Sequence, residues 1–201
     1  MAKPKTQLNS MNLAPTQKGE IWVVLADIRS RENVGSIFRT ADAAGVSKIF
    51  LCGITPQPPH DKISKTALGA EETVPWEYHS QAWRLLQNFK KLGLEIIVLE
   101  QTSESKNIFN YYKNGIKNGL DKNGKKGKID PQNLSLKEER FNPKIKYKNI
   151  TVLVLGNEVT GIPQKLLNYT TKLLHIPMYG TKESLNVAVA FGIAVYALRG
   201  K

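Results

Sequence analysis

Three polar clusters hold the side chains best suited to chemistry. The first is Asn33–Arg39, with Thr40 and Asp42 behind it. The second is Gly156, Asn157, Glu158 and Gly161. The third is Tyr179–Asn186, which contains Ser184 and Asn186. Together they offer a guanidinium, carboxamides, a carboxylate and a hydroxyl. A guanidinium stays charged and accepts nothing, so Arg39 suits charge stabilisation or a phosphate clamp, not proton abstraction. Among its apolar neighbours the alternative reading is a snorkelling arginine. Asn33 reads as a helix N-cap or as a site residue. Glu158 reads as a surface turn carboxylate, or as an anion that pairs with Arg39 or holds its loop. Gly156 allows backbone to approach a ligand closely, and Gly161 serves the turn itself. Ser184 reads as the N-cap of the last helix. Asn186 falls in that helix's first turn, where free N–H groups and the dipole favour an anion.

Other chemistries find little support. The GxxxxGK[ST] and GxGxxG patterns are both absent, which argues against a phosphate loop and the common dinucleotide fingerprint. His60, His79 and His175 are scattered without metal-ligand spacing. Cys52 is the single cysteine, so neither an internal disulfide nor a paired-cysteine zinc site can form. No metal is expected.

The elements that must position these clusters read as strand, helix, strand. Ile21–Ile28 is a short β-branched apolar run, a buried strand. Val34, Ile37, Phe38 and Ala41 recur at helical spacing, from Asn33 as cap to Gly45 as stop. Lys48–Ile54 is the next strand. A helix or structured loop is expected over Lys62–Glu71 and a weak strand over Thr73–Tyr78. A helix capped by Ser80 and a strand at Leu94–Leu99 follow. Ile150–Leu155 is strongly strand-like, a short helix starts near Pro163, and Lys172–Met178 is another strand. The last helix is apolar at Val187, Ala190, Phe191, Ala194, Val195 and Leu198. This alternation predicts an α/β fold, a mostly parallel sheet flanked by helices. All three polar clusters then follow strand ends, where ligands collect in open parallel sheets, so one composite site is expected.

Composition sets the outer limits. The chain has 201 residues, is 41% apolar and carries a net charge of +12. That is long enough for one real core and too apolar for a wholly disordered chain. The basic surplus implies attraction to a polyanion, nucleic acid first. Much of it lies in about 101–149, where eleven lysines and Arg140 face five acids in a Gly- and Asn-rich setting. This stretch reads as a mobile basic insertion, either a solvated tether or an RNA-capturing arm. Residues 1–19 read as a flexible N-terminal arm and 20–201 as one domain. The start lacks the roughly 7–15-residue apolar core of a signal peptide, and no run nears the ~18 residues of a membrane span. A soluble, cytoplasmic protein is expected.

Three segments carry a resemblance. NVGSIFRTADAAGV (Asn33–Val46), LVLGNEVTGIP (Leu153–Pro163) and IPMYGTKESLNVAVA (Ile176–Ala190) resemble, in order, the three motifs of SpoU-branch (SPOUT-class) RNA 2′-O-ribose methyltransferases. Ala188 departs from the pattern, standing where that family often has Ser. The resemblance implies a domain with a C-terminal trefoil knot, acting as a homodimer. It implies S-adenosylmethionine as cofactor and methyl transfer to a ribose 2′-hydroxyl of structured RNA, tRNA or rRNA. By position in the motifs, Arg39, Asn33, Glu158, Ser184 and Asn186 would form the catalytic set. Leu155, Gly156, Asn157, Ile176, Met178, Ser184, Leu185 and Asn186 would hold the cofactor. The competing reading is a non-catalytic RNA-binding module or assembly factor that retains the cleft.

Overall fold

The computed structural model describes residues 19–115 and 150–199. Its elements, in chain order, are β1 (Glu20–Ala26), α1 (Arg31–Ala43), β2 (Lys48–Cys52), α2 (Asp61–Ala67), α3 (Ala70–Thr73), β3 (Trp76–His79), α4 (Ala82–Lys91), β4 (Glu95–Leu99), β5 (Lys106–Asn107), α5 (Ile108–Gly115), β6 (Ile150–Leu155), α6 (Gln164–Leu167), β7 (Lys172–His175) and α7 (Val187–Arg199). The strands form one sheet in the order β3-β2-β1-β6-β4-β7-β5. Every pairing is parallel. The expected mostly parallel α/β sheet is therefore present.

The central strands are apolar on both faces because both are covered. Ile21, Val23 and Leu25 of β1 join one core with α1, α2 and α7, while Trp22, Val24 and Ala26 join a second core with α4 and α6. Phe38 of α1 and Phe191 of α7 are fully buried in the first, each contributing about 1.5–3 kcal/mol of transfer free energy. Strand β6 lies between β1 and β4. A segment late in the chain thus forms the middle of the sheet, and its exit turn lands beside the exit of β1.

Several local expectations are corrected. Ser30, not Asn33, caps α1, and its hydroxyl accepts the Asn33 N–H at 3.1 Å. Both residue types cap well, and the Asn33 side chain is committed elsewhere. Ser80 caps nothing: α4 starts after Gln81, which makes no side-chain cap bond. The stretch Lys62–Glu71 splits into α2 and α3 where Leu68 takes a left-handed φ of 52°. Strand β7 stops at His175, three residues early. Ser184 does not cap α7. Asn186 does, its Oδ1 accepting from Ala188 N–H at 2.9 Å.

The basic stretch also departs from expectation at its start. Lys106–Asn107 pair with β7 and Ile108 of α5 is fully buried. The remainder of that stretch, 116–149, lies outside the described residues, as does nearly all of the expected arm, 1–18. Among the described residues no helix is long and apolar enough to cross a membrane.

Candidate active site

Parallel strands open their carboxyl ends on one edge, and the exits of β1, β4, β6 and β7 meet there. The turn after β6 is the most constrained. A side chain at Gly156 would place its Cβ 2.6 Å from the Gly161 carbonyl oxygen, so the turn itself demands glycine. Asn157 N–H donates to the Gly161 carbonyl at 3.1 Å and Gly161 N–H returns to Asn157 at 3.0 Å. The Asn157 side chain is fully engaged: Oδ1 accepts from Val159 and Thr160 N–H, and Nδ2 donates to the Asp27 carbonyl at 2.8 Å. Glu100, just past β4, pins the far side by accepting Ile162 N–H at 2.8 Å.

This folded turn aims Glu158 at the start of α1. Its carboxylate accepts Arg29 N–H at 3.0 Å, Ser30 N–H at 3.2 Å and Asn33 Nδ2–H at 3.0 Å. Burial pushes the Glu158 carboxyl up. The Arg29 amide, the Asn33 side chain and the Ser30 amide outweigh it and hold the group below the usual carboxylate range. It is an ionised positioning group at a helix N-terminus, where negative charge is favoured. Its oxygens are already engaged, which does not suit a proton acceptor.

A directional chain of amides follows. A carboxylate only accepts, so Asn33 must present Nδ2 to Glu158 and Oδ1 outward. Asn186 Nδ2 donates to that Oδ1 at 3.0 Å. Asn186 Oδ1 is left for the first turn of α7. Glu158 thus fixes both carboxamide orientations and ties α1, the β6 turn and α7 together.

Beside this chain lies a cleft of about 550 Å³. Leu155, Gly156, Asn157, Glu158, Ile176, Met178, Ser184 and Leu185 all line it. Asn33 and Asn186 stand next to it through their bonds. Ser184 is placed in the wall, free of a capping role. Arg39 is the exception. It sits six positions beyond Asn33, roughly 240° round the helix, exposed and outside the lining. Of the readings open for Glu158, pairing with Arg39 is not made, because backbone amides and Asn33 occupy the carboxylate.

Sequence reasoning missed Leu99, Glu100, Gln101 and His175, which also line the cleft, and named Glu183 only as part of the third polar cluster. The strand-end rule, applied to β4 as it was to β1 and β6, would have reached the first three. Elsewhere, burial first, then the charges of Asp27 and Glu77, push the Cys52 thiol up to about 12, which closes it as a nucleophile. Among the described residues no group of three His, Cys, Asp or Glu side chains could hold a metal.

Apolar walls with carboxylates in the lining can seat a flat heteroaromatic ring and, nearby, a cationic tail. Known proteins were compared with this geometry in place. The SpoU rRNA Methylase family matches residues 20–196. This chain belongs to that family. Among the SpoU relatives, the Bacillus subtilis (strain 168) 23S rRNA (guanosine(2553)-2′-O)-methyltransferase RlmP is 30% identical over 179 residues, 89% of this chain and 58% of the relative. The Aquifex aeolicus tRNA (guanosine(18)-2′-O)-methyltransferase is 28% identical over 87% of this chain and 66% of its own length. The AdoMet-bound rRNA methyltransferase of Sinorhizobium meliloti superposes with a TM-score of 0.67 at 26% identity, covering 93% of this chain and 58% of that one. The chain spans just over half to two thirds of the length of these SpoU relatives.

Proposed function

We propose that this chain transfers the methyl group of S-adenosylmethionine to a ribose 2′-hydroxyl of structured RNA, a tRNA or an rRNA. The observation that carries the reading is the Glu158–Asn33–Asn186 chain. It joins three segments far apart in sequence beside one cleft, and the same three hold the family's motifs. The relatives' names, one on 23S rRNA and one on tRNA, support the substrate class.

The cleft fits the methyl donor. Leu99, Leu155, Ile176, Met178 and Leu185 give it apolar walls for an adenine ring, and Glu183 adds a carboxylate at the rim for a cationic tail. When bound, the donor supplies an electrophilic methyl for in-line displacement. The chain's own residues do the remaining work. Glu158 and Asn33 hold the mouth in shape, and Ser184 faces the bound molecules. Arg39 clamps the ribose-phosphate and stabilises the 2′-oxygen, whose proton passes to solvent as the methyl is taken up.

Arg39 lies outside its own cleft, which fits a reading in which two copies share the reaction. Helix α7 shows an apolar stripe, Val189 51% and Tyr196 54% exposed, with Gly192 and Ile193 between. Gly192 abuts Thr40, next to Arg39 on α1. A homodimer built on this stripe would bring Arg39 to the joint. The finer fold reading is a C-terminal trefoil knot. It is supported by α6 and α7 packing on opposite cores, so that 176–186 crosses the carboxyl edge between them. The proposed setting is the cytoplasm, a reading supported by the bacterial relatives named for 23S rRNA and tRNA.

The test is incubation of the protein and methyl-labelled S-adenosylmethionine with total tRNA and rRNA, followed by mapping of 2′-O-methylated positions. The expected result is label in alkali-resistant dinucleotides at a defined position. RNA binding without label would favour the assembly-factor reading.

A further inference from the structure

His175 ends β7 and lines the cleft. Leu99, whose register partner is Leu174, and Ile176 line the same cleft. The Nδ1 atom stands 2.9 Å from Ser105 Oγ. That hydroxyl also accepts Thr102 N–H at 3.0 Å and donates to the Thr102 carbonyl at 2.8 Å. A serine hydroxyl has one proton. With that proton on Thr102, Ser105 accepts from the ring, so Nδ1 carries hydrogen and Nε2 keeps a lone pair. Among the described residues no hydrogen bond reaches Nε2. The β5–β7 register, Asn107 against His175, fixes the backbone beneath the ring. The nearby acceptor Glu100 is already engaged, taking Ile162 N–H on one oxygen and Gln101 N–H on the other.

We infer that His175 Nε2 is a recognition atom for the nucleoside half of the methyl donor. It accepts a hydrogen bond from a ribose hydroxyl or the exocyclic amine of the adenine. This rests on the S-adenosylmethionine reading above. The nucleoside half is favoured because Leu99, Leu155, Ile176, Met178 and Leu185 line the same cleft as His175, and a flat base seats among apolar walls better than an ammonium or carboxylate does. Ser105 is the positioning residue that selects the acceptor tautomer. A neutral acceptor in an apolar wall discriminates by what is left unpaired when the donor is missing.

Calorimetry with S-adenosylhomocysteine, its 2′-deoxy and 3′-deoxy analogues and its N6-dimethyl analogue tests the assignment on the full chain. His175→Phe should weaken S-adenosylhomocysteine roughly five- to tenfold. His175→Gln, which restores an acceptor, should recover most of that loss. One analogue should be penalised in the wild type and no further penalised in His175→Phe, which names the donor group. Ser105→Ala should weaken binding by a smaller factor. A second readout needs no variant: ¹⁵N resonances of the wild-type imidazole should report hydrogen on Nδ1, and the Nε2 signal should move when S-adenosylhomocysteine is added. Hydrogen on Nε2, an unmoved Nε2 signal, or wild-type affinity in His175→Phe would each overturn the inference while leaving the methyl-donor reading intact. No binding to the wild type would remove both.

Discussion

Glu158 and Glu77 are both held below the usual carboxylate range, and by different neighbours. Glu77 lies on edge strand β3. Burial pushes it up, while His79 Nε2 at 3.1 Å and Lys48 Nζ at 3.4 Å outweigh that burial. Glu158 is held by backbone amides and a carboxamide. Glu77 ties together adjacent parallel strands, β2 and β3, that the register already joins. Glu158 ties the exit of β6 to the start of α1, partners 125 and more positions away. A depressed carboxyl is therefore no mark of a site by itself. What distinguishes Glu158 is that it joins the β6 turn to the start of α1 and to the Asn33–Asn186 pair beside the cleft, whereas Glu77 joins two neighbouring strands at one edge of the sheet.

Substitutions can break that contrast or sharpen it. The largest expected effect is Arg39→Lys, which keeps the charge and loses the planar fork. Turnover should fall roughly 10²- to 10³-fold with melting temperature unchanged, measured by methyl transfer to RNA. Near-normal turnover would remove Arg39 from the chemistry. Next is Glu158→Gln, whose amide cannot accept from all three N–H donors. A displaced Asn33 should lower kcat by roughly 10²-fold while leaving S-adenosylhomocysteine affinity within a few-fold. Equal losses in kcat and cofactor affinity would mean that the whole turn had collapsed.

Asn186→Asp separates two roles of one side chain. Aspartate still caps α7 but cannot donate to Asn33 Oδ1. Turnover should drop about tenfold, the size of one lost hydrogen bond, with thermal stability preserved. On the other side of the comparison, Glu77→Gln should leave turnover unchanged and cost about 1–2 kcal/mol in chemical denaturation, since the ion pair is partly exposed. Any loss of methyl transfer in that variant would erase the distinction.

The smallest effect is the pH response. Both carboxyls are depressed in the folded chain, so each adds stability above the ordinary carboxylate range. That stability is lost as pH falls through the folded values. Acid titration below about pH 4 should destabilise the wild type, with a shallower decline in Glu77→Gln.

The sequence by itself determined the strands, the helical faces and the three polar clusters. Runs such as Ile150–Leu155 and the spacing Phe191, Ala194, Val195, Leu198 are local patterns, and burial follows local pattern wherever an element is covered. The resemblance to the family's motifs gathered Leu155, Ile176, Met178 and Ser184 into one expected site, and all four line the cleft. Only the tertiary structure decided which cap each helix uses. Ser30 frees Asn33 to meet Glu158, and Asn186 caps α7 where Ser184 was expected, choices fixed by partners 125 and 153 positions away. Glu100 and His175 were invisible for the same reason: a single polar residue after an apolar strand has no periodicity, and its task depends on the turn or hydroxyl folded against it. Ile108, in a lysine-rich stretch, is buried because β5 finds the free edge of β7. Hydrophobic pattern is short-ranged along the chain, whereas hydrogen-bond partnership is settled in space.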